Sequence, residues 1–247
     1  MKSAGSDPND FRGSTYAGTR PWLDAPLFRD REQAGERLAE SLAEYGHRAD
    51  VIVLALPRGG VPVGAQVAEA LEAPLDLLLV RKLGVPGHRE LAMGAVASGG
   101  VRVLNEDVVG AVGLDEATIE AVARDECREL DRREHAYREG RPSPEIGGMV
   151  VILVDDGLAT GATMRAAVAA LKQRHPGRIV VAVPVAPPDT CEALRREADE
   201  VACLASPEPF MAIGVWYEDF PQLSDEEVRE RLARAWDRAA VPQAPAE

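Results

Sequence analysis

The most chemically specific segment of this chain lies between residues 150 and 163. An unbroken apolar run, residues 150–154, leads into two adjacent carboxylates, Asp155 and Asp156, and then into the small-residue sequence Gly-Leu-Ala-Thr-Gly-Ala-Thr. A buried strand ending here would bring both carboxylates to the carboxyl edge of a sheet, where open α/β sheets bind ligands. The glycines let the backbone approach a ligand closely, and free amides at a helix start attract phosphate. The spacing therefore predicts a site for a phosphate beside hydroxyl groups or a metal, and a sugar phosphate satisfies both halves.

Two further polar segments follow predicted strands nearer the N-terminus. The apolar run at residues 51–56 ends at Pro57-Arg58-Gly59-Gly60, and the run at residues 75–80 ends at Arg81-Lys82. Taken alone, the first segment is equally consistent with a plain turn, and the second is typical of a solvated strand end. Because the carboxyl ends of parallel strands share one edge of a sheet, their order after successive strands indicates a common site.

Together the three segments resemble the type I phosphoribosyltransferase family, whose signature is an apolar strand, two acidic residues and a Thr-Gly-x-Thr phosphate loop. The resemblance covers roughly residues 50–185. It implies that Asp155 and Asp156 bind the ribose 2- and 3-hydroxyls of phosphoribosyl diphosphate. It also implies that the 5-phosphate lies on a loop made of Ala159, Thr160, Gly161, Ala162 and Thr163.

The same resemblance assigns the diphosphate and the metal. In the family a short loop after the first core strand holds the diphosphate, and Arg58, Gly59 and Gly60 stand at that place. A basic pair after the second strand meets the diphosphate as well, which corresponds to Arg81 and Lys82. The implied cofactor is Mg²⁺, bridging diphosphate and ribose oxygens, with Asp155 and Asp156 as its protein ligands.

The implied reaction displaces diphosphate from the anomeric carbon of ribose by a ring nitrogen of a base. It needs no enzyme nucleophile, so positioning and charge stabilisation are sufficient. The catalytic roles fall on Asp155, Asp156, Arg81 and Lys82.

The acceptor is the least determined part of this reaction. In relatives that act on 6-oxopurines, a lysine after the next strand reads the exocyclic oxygen, whereas residues 181–188 contain no lysine. This departure argues against guanine or hypoxanthine. Trp216 and Tyr217 are predicted to stack on a flat base, although aromatic residues near a last strand belong to the core more often than they bind a ligand.

Around these segments the pattern predicts an α/β fold with a central parallel sheet flanked by helices, a small hood and a peripheral helix. Strands are expected at residues 51–56, 75–80, 149–154 and 178–185, since apolar runs without polar alternation are typical of a parallel sheet covered on both faces. Residues 101–104 fit an additional strand. Helices are expected to begin after Asp30 and Ser224, because Gln33 and Glu227 complete capping boxes there.

One domain over residues 25–240 accommodates all these elements. We expect a flexible arm over residues 1–24 and a frayed tail over residues 241–247. Within the domain the expected parts are a mobile lid over residues 84–100, the peripheral helix over residues 114–141, and the hood and tail over residues 205–240.

Composition excludes several other functions. The formal net charge is -13, so no global positive field exists to hold nucleic acid or an anionic membrane. No apolar run approaches the length of a membrane span, and the polar start does not resemble a signal peptide. The three cysteines show no metal-ligand spacing, which favours a reduced, cytoplasmic protein. The expected partners are small molecules, and the family resemblance allows a homodimer.

Two other functions remain open at this point. One is a regulatory protein on the same fold that senses phosphoribosyl diphosphate without catalysis. The other is a different phosphate-handling α/β protein, such as a receiver domain or a phosphatase. That class would place its key acid after the first strand, where this chain has Pro57-Arg58-Gly59-Gly60.

Overall fold

A five-stranded parallel sheet forms the centre of the computed structural model, which describes residues 26–240. The strands are β1 (Val51–Ala55), β2 (Leu75–Leu77), β6 (Val150–Val154), β7 (Arg178–Val185) and β8 (Glu200–Ala205). Their order across the sheet is β2-β1-β6-β7-β8. The predicted parallel α/β sheet is confirmed, and β8, which had not been predicted, extends its edge.

Alternation along the strands divides the core into two halves. Val150, Ile152 and Val154 of β6 face one apolar cluster, and Val151 and Leu153 face the other. This follows from the two-residue period of a strand, and it requires helices on both faces. The covering helices are α1 (Arg31–Glu40), α2 (Gly60–Leu71), α5 (Ala162–Lys172), α6 (Pro188–Arg195) and α7 (Asp225–Ala240).

The capping residues begin the helices as expected. The Asp30 side chain accepts a hydrogen bond from the Gln33 amide at 2.8 Å, at the start of α1. The Ser224 hydroxyl accepts from the Glu227 amide at 3.2 Å, and the Glu227 carboxylate accepts in turn from the Ser224 amide at 2.8 Å. Both predicted capping positions are therefore confirmed.

A second, antiparallel sheet lies where a loop had been expected. It consists of β3 (Val80–Val85), β4 (His88–Ala97) and β5 (Val101–Leu104). The prediction of a lid loop over residues 84–100 is corrected, because most of these residues are paired in a hairpin that turns at Pro86 and Gly87. The glycines in this stretch had suggested hinges, whereas two of them, Gly84 and Gly94, lie within strands. The strand at residues 101–104 is confirmed.

The predicted peripheral helix is confirmed as α4 (Glu116–Arg138), preceded by the short α3 (Glu106–Val112). Its last residue anchors it to the parallel sheet. The Arg138 guanidinium is 3% exposed and donates hydrogen bonds to Asp76 Oδ1 at 2.7 Å and to the Leu77 carbonyl at 2.9 Å. It also pairs with Glu134 at 2.8 Å. A buried cation with three oxygen partners fixes the end of α4 beside β2.

The segment between β8 and α7 crosses the carboxyl edge of the sheet without forming a sheet of its own. It contains a 3₁₀ turn, Ile213–Trp216, and Tyr217 forms a single parallel bridge with Phe28. The predicted arm and frayed tail lie outside the described residues. Within residues 26–240, no helix combines the length and the apolar character that a bilayer span requires.

The anchor of α4 gives a stability prediction. Arg138→Ala leaves two carboxylates at a largely buried site without their cation, so the free energy of unfolding should fall by about 3 kcal/mol. Arg128→Ala removes an exposed pair with Asp125 on the same helix and should change it by less than about 0.5 kcal/mol. Urea unfolding measures both, and equal effects would contradict the anchoring role.

Candidate functional site

The site begins where β6 ends, with two carboxylates. Asp156 is 8% exposed, and its Oδ2 accepts a hydrogen bond from Arg31 Nε at 2.8 Å. Its amide donates to Asp155 Oδ1 at 2.8 Å. Arg31 comes from the first turn of α1, so the pair joins the N-terminal helix to the centre of the sheet.

Burial raises the pKa of both carboxylates, but their neighbours affect the two groups differently. Burial raises the pKa of Asp155 well above its ordinary value, and the negative charge of Asp156 raises it further. Burial also raises the pKa of Asp156, but there the hydrogen bond from Arg31 opposes the change. Asp155 therefore has less compensation for its charge, and a cation or hydroxyl donor that reached it would stabilise it.

The Arg-Gly-Gly loop packs directly on these acids. The peptide bond between Pro57 and Arg58 is cis, and Gly60 is the first residue of α2. A Cβ on Gly59 would overlap the Asp156 carboxylate, and a Cβ on Gly60 would lie 2.6 Å from the Val154 carbonyl oxygen. Only glycine fits at either position, which explains how this loop and the acid pair share one edge.

The side chain of Arg58 reaches the start of α7. Its Nη1 donates to the Leu223 carbonyl at 2.7 Å and lies 4.0 Å from Asp225 Oδ1. The same Asp225 oxygen accepts from the Tyr137 hydroxyl of α4 at 2.5 Å. Helices α4 and α7 therefore meet beside the loop and hold Arg58.

The predicted phosphate loop is open to solvent. Ala159, Thr160, Ala162 and Thr163 are exposed, and Gly161 caps α5 with a φ of 69°. The Thr160 hydroxyl accepts from the Ala162 amide at 3.4 Å. Because the first amides of a helix have no partner within it, the exposed start of α5 can bind an anion.

One cleft is lined by a residue from each of the three predicted segments. Pro57, Thr163 and Arg81 line a cavity of about 50 Å³, together with Leu130 and Arg133 of α4. Arg81 Nε is bound to Glu126 Oε2 of α4 at 2.5 Å. The strand-end prediction for the basic pair is corrected, because both residues lie within β3. Lys82 therefore points to the opposite face of that sheet from Arg81 and does not line this cleft.

The predicted base-stacking pair is also corrected. Trp216 is 2% exposed and Tyr217 is 5% exposed, so neither ring offers an open face to a base. The Tyr217 hydroxyl donates to the Asp156 carbonyl at 2.6 Å, which places it behind the acid pair as a support. The Trp216 ring packs against Phe210 with centroids 6.2 Å apart.

A larger cleft lies on the other side of the Arg-Gly-Gly loop. It has a volume of about 430 Å³ and is bounded by Arg58, Gly59 and Asp156 on one side. Residues 220–223, Ile213 and Arg31 form the other side. The Arg31 guanidinium lies 3.7 Å from the centroid of the Phe220 ring and donates to the Pro221 carbonyl at 2.8 Å.

Sequence reasoning missed two cations of this site, Arg31 and Arg133. Arg31 meets Asp156 across 125 residues of sequence, and Arg133 stands in a charged helix where it pairs with Glu129. The only local sign for Arg31 was its place directly after a helix cap.

Comparison with known proteins agrees with this geometry. The model of the phosphoribosyl transferase domain family matches residues 28–215. This chain belongs to the phosphoribosyl transferase family. Membership excludes the receiver-domain and phosphatase alternatives.

Two relatives come from Mycobacterium tuberculosis, strains H37Rv and CDC 1551, and are named as proposed phosphoribosyl transferases. Each is 49% identical over 209 residues, which is 85% of this chain and 47% of theirs. This phosphoribosyl transferase chain thus spans about half the length of those relatives. The crystal structure of the protein TT1426 from Thermus thermophilus is 45% identical, with a TM-score of 0.77, and the match covers 84% of this chain and 98% of that one.

Replacing each of the two carboxylates by an amide should change the stability of the fold in opposite directions. Asp155→Asn keeps the acceptor for the Asp156 amide and removes a buried charge, so at pH 7 it should stabilise the fold by about 1 kcal/mol. Asp156→Asn leaves the Arg31 cation without its carboxylate and should destabilise the fold by about 3 kcal/mol.

Thermal unfolding from pH 3 to pH 8 measures this difference. The folded-state pKa of Asp155 is raised, so wild-type stability falls as the pH rises through that pKa. The advantage of Asp155→Asn should therefore be present at pH 7 and vanish below the ordinary pKa of aspartate. A destabilising Asp155→Asn at pH 7 would refute the assignment of uncompensated charge.

Proposed function

We propose that this protein transfers the 5-phosphoribosyl group of phosphoribosyl diphosphate to a nitrogenous base and releases diphosphate. One observation carries the proposal. In a member of this family, the acid pair, the Arg-Gly-Gly loop and the exposed start of α5 lie at one sheet edge. The acid pair matches the ribose hydroxyls, the Arg-Gly-Gly loop matches the diphosphate, and the start of α5 matches the 5-phosphate of phosphoribosyl diphosphate.

The ribose is assigned to the acid pair. Asp155 accepts hydrogen bonds from the ribose hydroxyls, since burial and the adjacent Asp156 disfavour its charge until further donors reach it. Asp156 is held in position by Arg31 and by the Tyr217 hydroxyl on its carbonyl, so it acts mainly by orienting its neighbour. The amides of residues 161–163 and the hydroxyls of Thr160 and Thr163 bind the 5-phosphate.

The diphosphate is assigned to the cleft beside Pro57. The loop amides at Arg58 and Gly59 and the Arg81 guanidinium stabilise the negative charge that develops on the leaving group. The Gly60 amide donates to the Leu56 carbonyl at 3.0 Å and so shapes the loop instead. Lys82 keeps no assigned role, because β3 directs it to the other face.

Mg²⁺ fits this site as a metal that the substrate completes. Within residues 26–240, no group of three or more His, Cys, Asp or Glu side chains is placed to hold a metal. Asp155 and Asp156 would hold the ion together with substrate oxygens, as Mg²⁺ is usually bound through one or two carboxylates and phosphates. The bound ion would supply positive charge to the departing diphosphate.

The acceptor is assigned to the cleft of about 430 Å³. Ile213 and Phe220 provide an apolar wall for a flat heterocycle, and Gln222 and the loop backbone provide polar groups. This replaces Trp216 and Tyr217 as the proposed base contacts.

A regulator that senses phosphoribosyl diphosphate without catalysis is the second candidate. The observation that favours it is the hydrogen bond from Arg31 to Asp156, since it occupies one carboxylate oxygen of the acid pair before any substrate arrives. A sensor needs only binding, which Asp155 and the two loops can supply.

Diphosphate release from purified protein, Mg²⁺ and phosphoribosyl diphosphate, with a panel of purine and pyrimidine bases, separates the two candidates. An enzyme should release diphosphate with one base and lose nearly all turnover in Asp155→Asn. The matched control is Asp50→Asn, an exposed acid paired with Arg48, which should keep wild-type turnover. Saturable binding with no turnover for any base would favour the sensor, and no binding would refute both.

Arg133 lines the cleft beside Pro57 and was not predicted from the sequence. Arg133→Gln should raise the KM for phosphoribosyl diphosphate about tenfold or more, because one charge-assisted hydrogen bond to the substrate is lost. Arg132 is bound to the same Glu129 but does not line the cleft, so Arg132→Gln is the matched control. Equal KM values for the two variants would remove Arg133 from the site.

A further inference from the structure

Two cysteines lie side by side behind the phosphate loop. Cys191 is on α6 and 1% exposed, and Cys203 is on the edge strand β8 and half-buried. Both sulfur atoms lie 3.5 Å from the hydroxyl oxygen of Ser206, and Cys203 Sγ also donates to the Ala205 carbonyl at 3.2 Å. The two cysteines lie on consecutive elements, and the packing of α6 on β8 brings them together.

The contact makes one of the two sulfurs a stabilised thiolate. The hydrogen bond from Cys203 lowers the pKa of Cys191 to about 6, and a bond from Ser206 acts in the same direction. The pKa of Cys203 is raised by its interaction with the Cys191 sulfur and by burial. A thiolate is the reactive form of cysteine, so the lowered pKa favours reaction at Cys191.

Cys127 on α4 has the opposite environment. Burial and the negative charge of Asp131 raise the pKa of its thiol. It therefore serves as an internal reference for an ordinary cysteine.

The first turn of α6 also supports the phosphate loop. The Thr190 hydroxyl, one residue before Cys191, donates to the Ala159 carbonyl at 2.9 Å. A Cβ on Gly161 would lie 2.7 Å from Thr190 Cγ2, so the two segments are in close contact. A shift of α6 therefore reaches the loop directly.

We propose that Cys191 and Cys203 are a disulfide-forming pair, and that closing the disulfide loosens the loop at residues 159–163. The oxidant is hydrogen peroxide. The thiolate attacks one peroxide oxygen, the O–O bond breaks, and a sulfenic acid and hydroxide form, the hydroxide taking a proton to become water. The second thiol then attacks the sulfenic sulfur and loses its proton, and a second water leaves. The two thiols give up two electrons, and the peroxide is reduced to two waters.

The disulfide must pull α6. An S–S bond is about 2 Å long, much shorter than any non-bonded approach of two sulfur atoms. Cys203 is fixed by the pairing of β8 with β7, where it lies opposite Val183. α6 is a short helix whose N-cap residue, Pro187, makes no side-chain capping bond, so it is the element that moves, and Thr190 moves with it.

Thiol mapping of the full chain tests the disulfide. After treatment with hydrogen peroxide, mass spectrometry of unreduced peptides should find Cys191 joined to Cys203, and dithiothreitol should restore both thiols. Cys127 should remain free, and Cys127→Ser should form the same bond. Cys203→Ala should form none. Free Cys191 and Cys203 after oxidation, or a bond to Cys127, would overturn the proposal.

Hydrogen exchange tests the coupling without any ligand. The reporting amides are those of Leu158, which donates to the Val185 carbonyl, and of Arg165, which donates to the Gly161 carbonyl, both at 2.9 Å. They should exchange faster in the oxidised protein than in the reduced protein, by about two- to tenfold, the effect of losing one hydrogen bond. Identical exchange in both forms, with the disulfide present, would refute the coupling. Weaker binding of phosphoribosyl diphosphate by the oxidised form would also follow, but that result rests on the proposed function, whereas the two tests above do not.

Discussion

Two successive carboxylates at the end of a buried strand are the constraint around which this site is built. Charges in a low-dielectric environment need a cation or hydrogen-bond donors. Arg31 supplies both to Asp156, and the Pro221 carbonyl and the Phe220 ring hold Arg31. Helix α1, strand β6 and the segment between β8 and α7 therefore converge on Asp156. The proposed function assigns the neighbouring Asp155 to the ribose, so the two adjacent aspartates have different proposed roles.

The phosphate binding that we propose is compatible with a net negative charge, because several cations lie close to the two loops. Three arginines face the two loops, and each is tied to a protein oxygen: Arg58 to Leu223, Arg81 to Glu126 and Arg133 to Glu129. These partners fix the guanidinium groups before a ligand arrives, which lowers the entropy lost on binding. They also neutralise part of the charge, so a highly charged anion is needed to compete. The net charge of -13 thus excludes a general polyanion binder and is compatible with one small, multiply charged ligand.

Helices α4 and α7 lie outside the central sheet, yet they complete the site. Tyr137 of α4 and Arg58 of the loop meet at Asp225, next to the start of α7. Burial and the Asp225 carboxylate raise the pKa of Tyr137 to about 12, so its hydroxyl remains a donor at neutral pH. The buried Arg138 fixes the end of α4 beside strand β2. The environment of the Arg-Gly-Gly loop therefore depends on contacts far from it in sequence.

The sequence by itself determined four strands of the parallel sheet, the helix starts at Asp30 and Ser224, and the loops at residues 57–60 and 155–163. Each depends on local chemistry: apolar runs form buried strands, a side chain caps its own helix, and glycine allows a loop to pack closely. It also placed the acid pair, because a strand carries its next residues to the edge of the sheet.

Only the tertiary structure decided which side chains face the site. The glycines of residues 84–100 suggested a loop, but cross-strand pairing made a hairpin of them, and strand alternation then separated Lys82 from Arg81. Trp216 and Tyr217 were predicted to contact a base, but the core covered both rings. Arg31, Arg133 and the contact between Cys191 and Cys203 join segments that local patterns do not relate. Such contacts are set by the packing of whole elements, which the local spacing of residues in a single sequence does not predict.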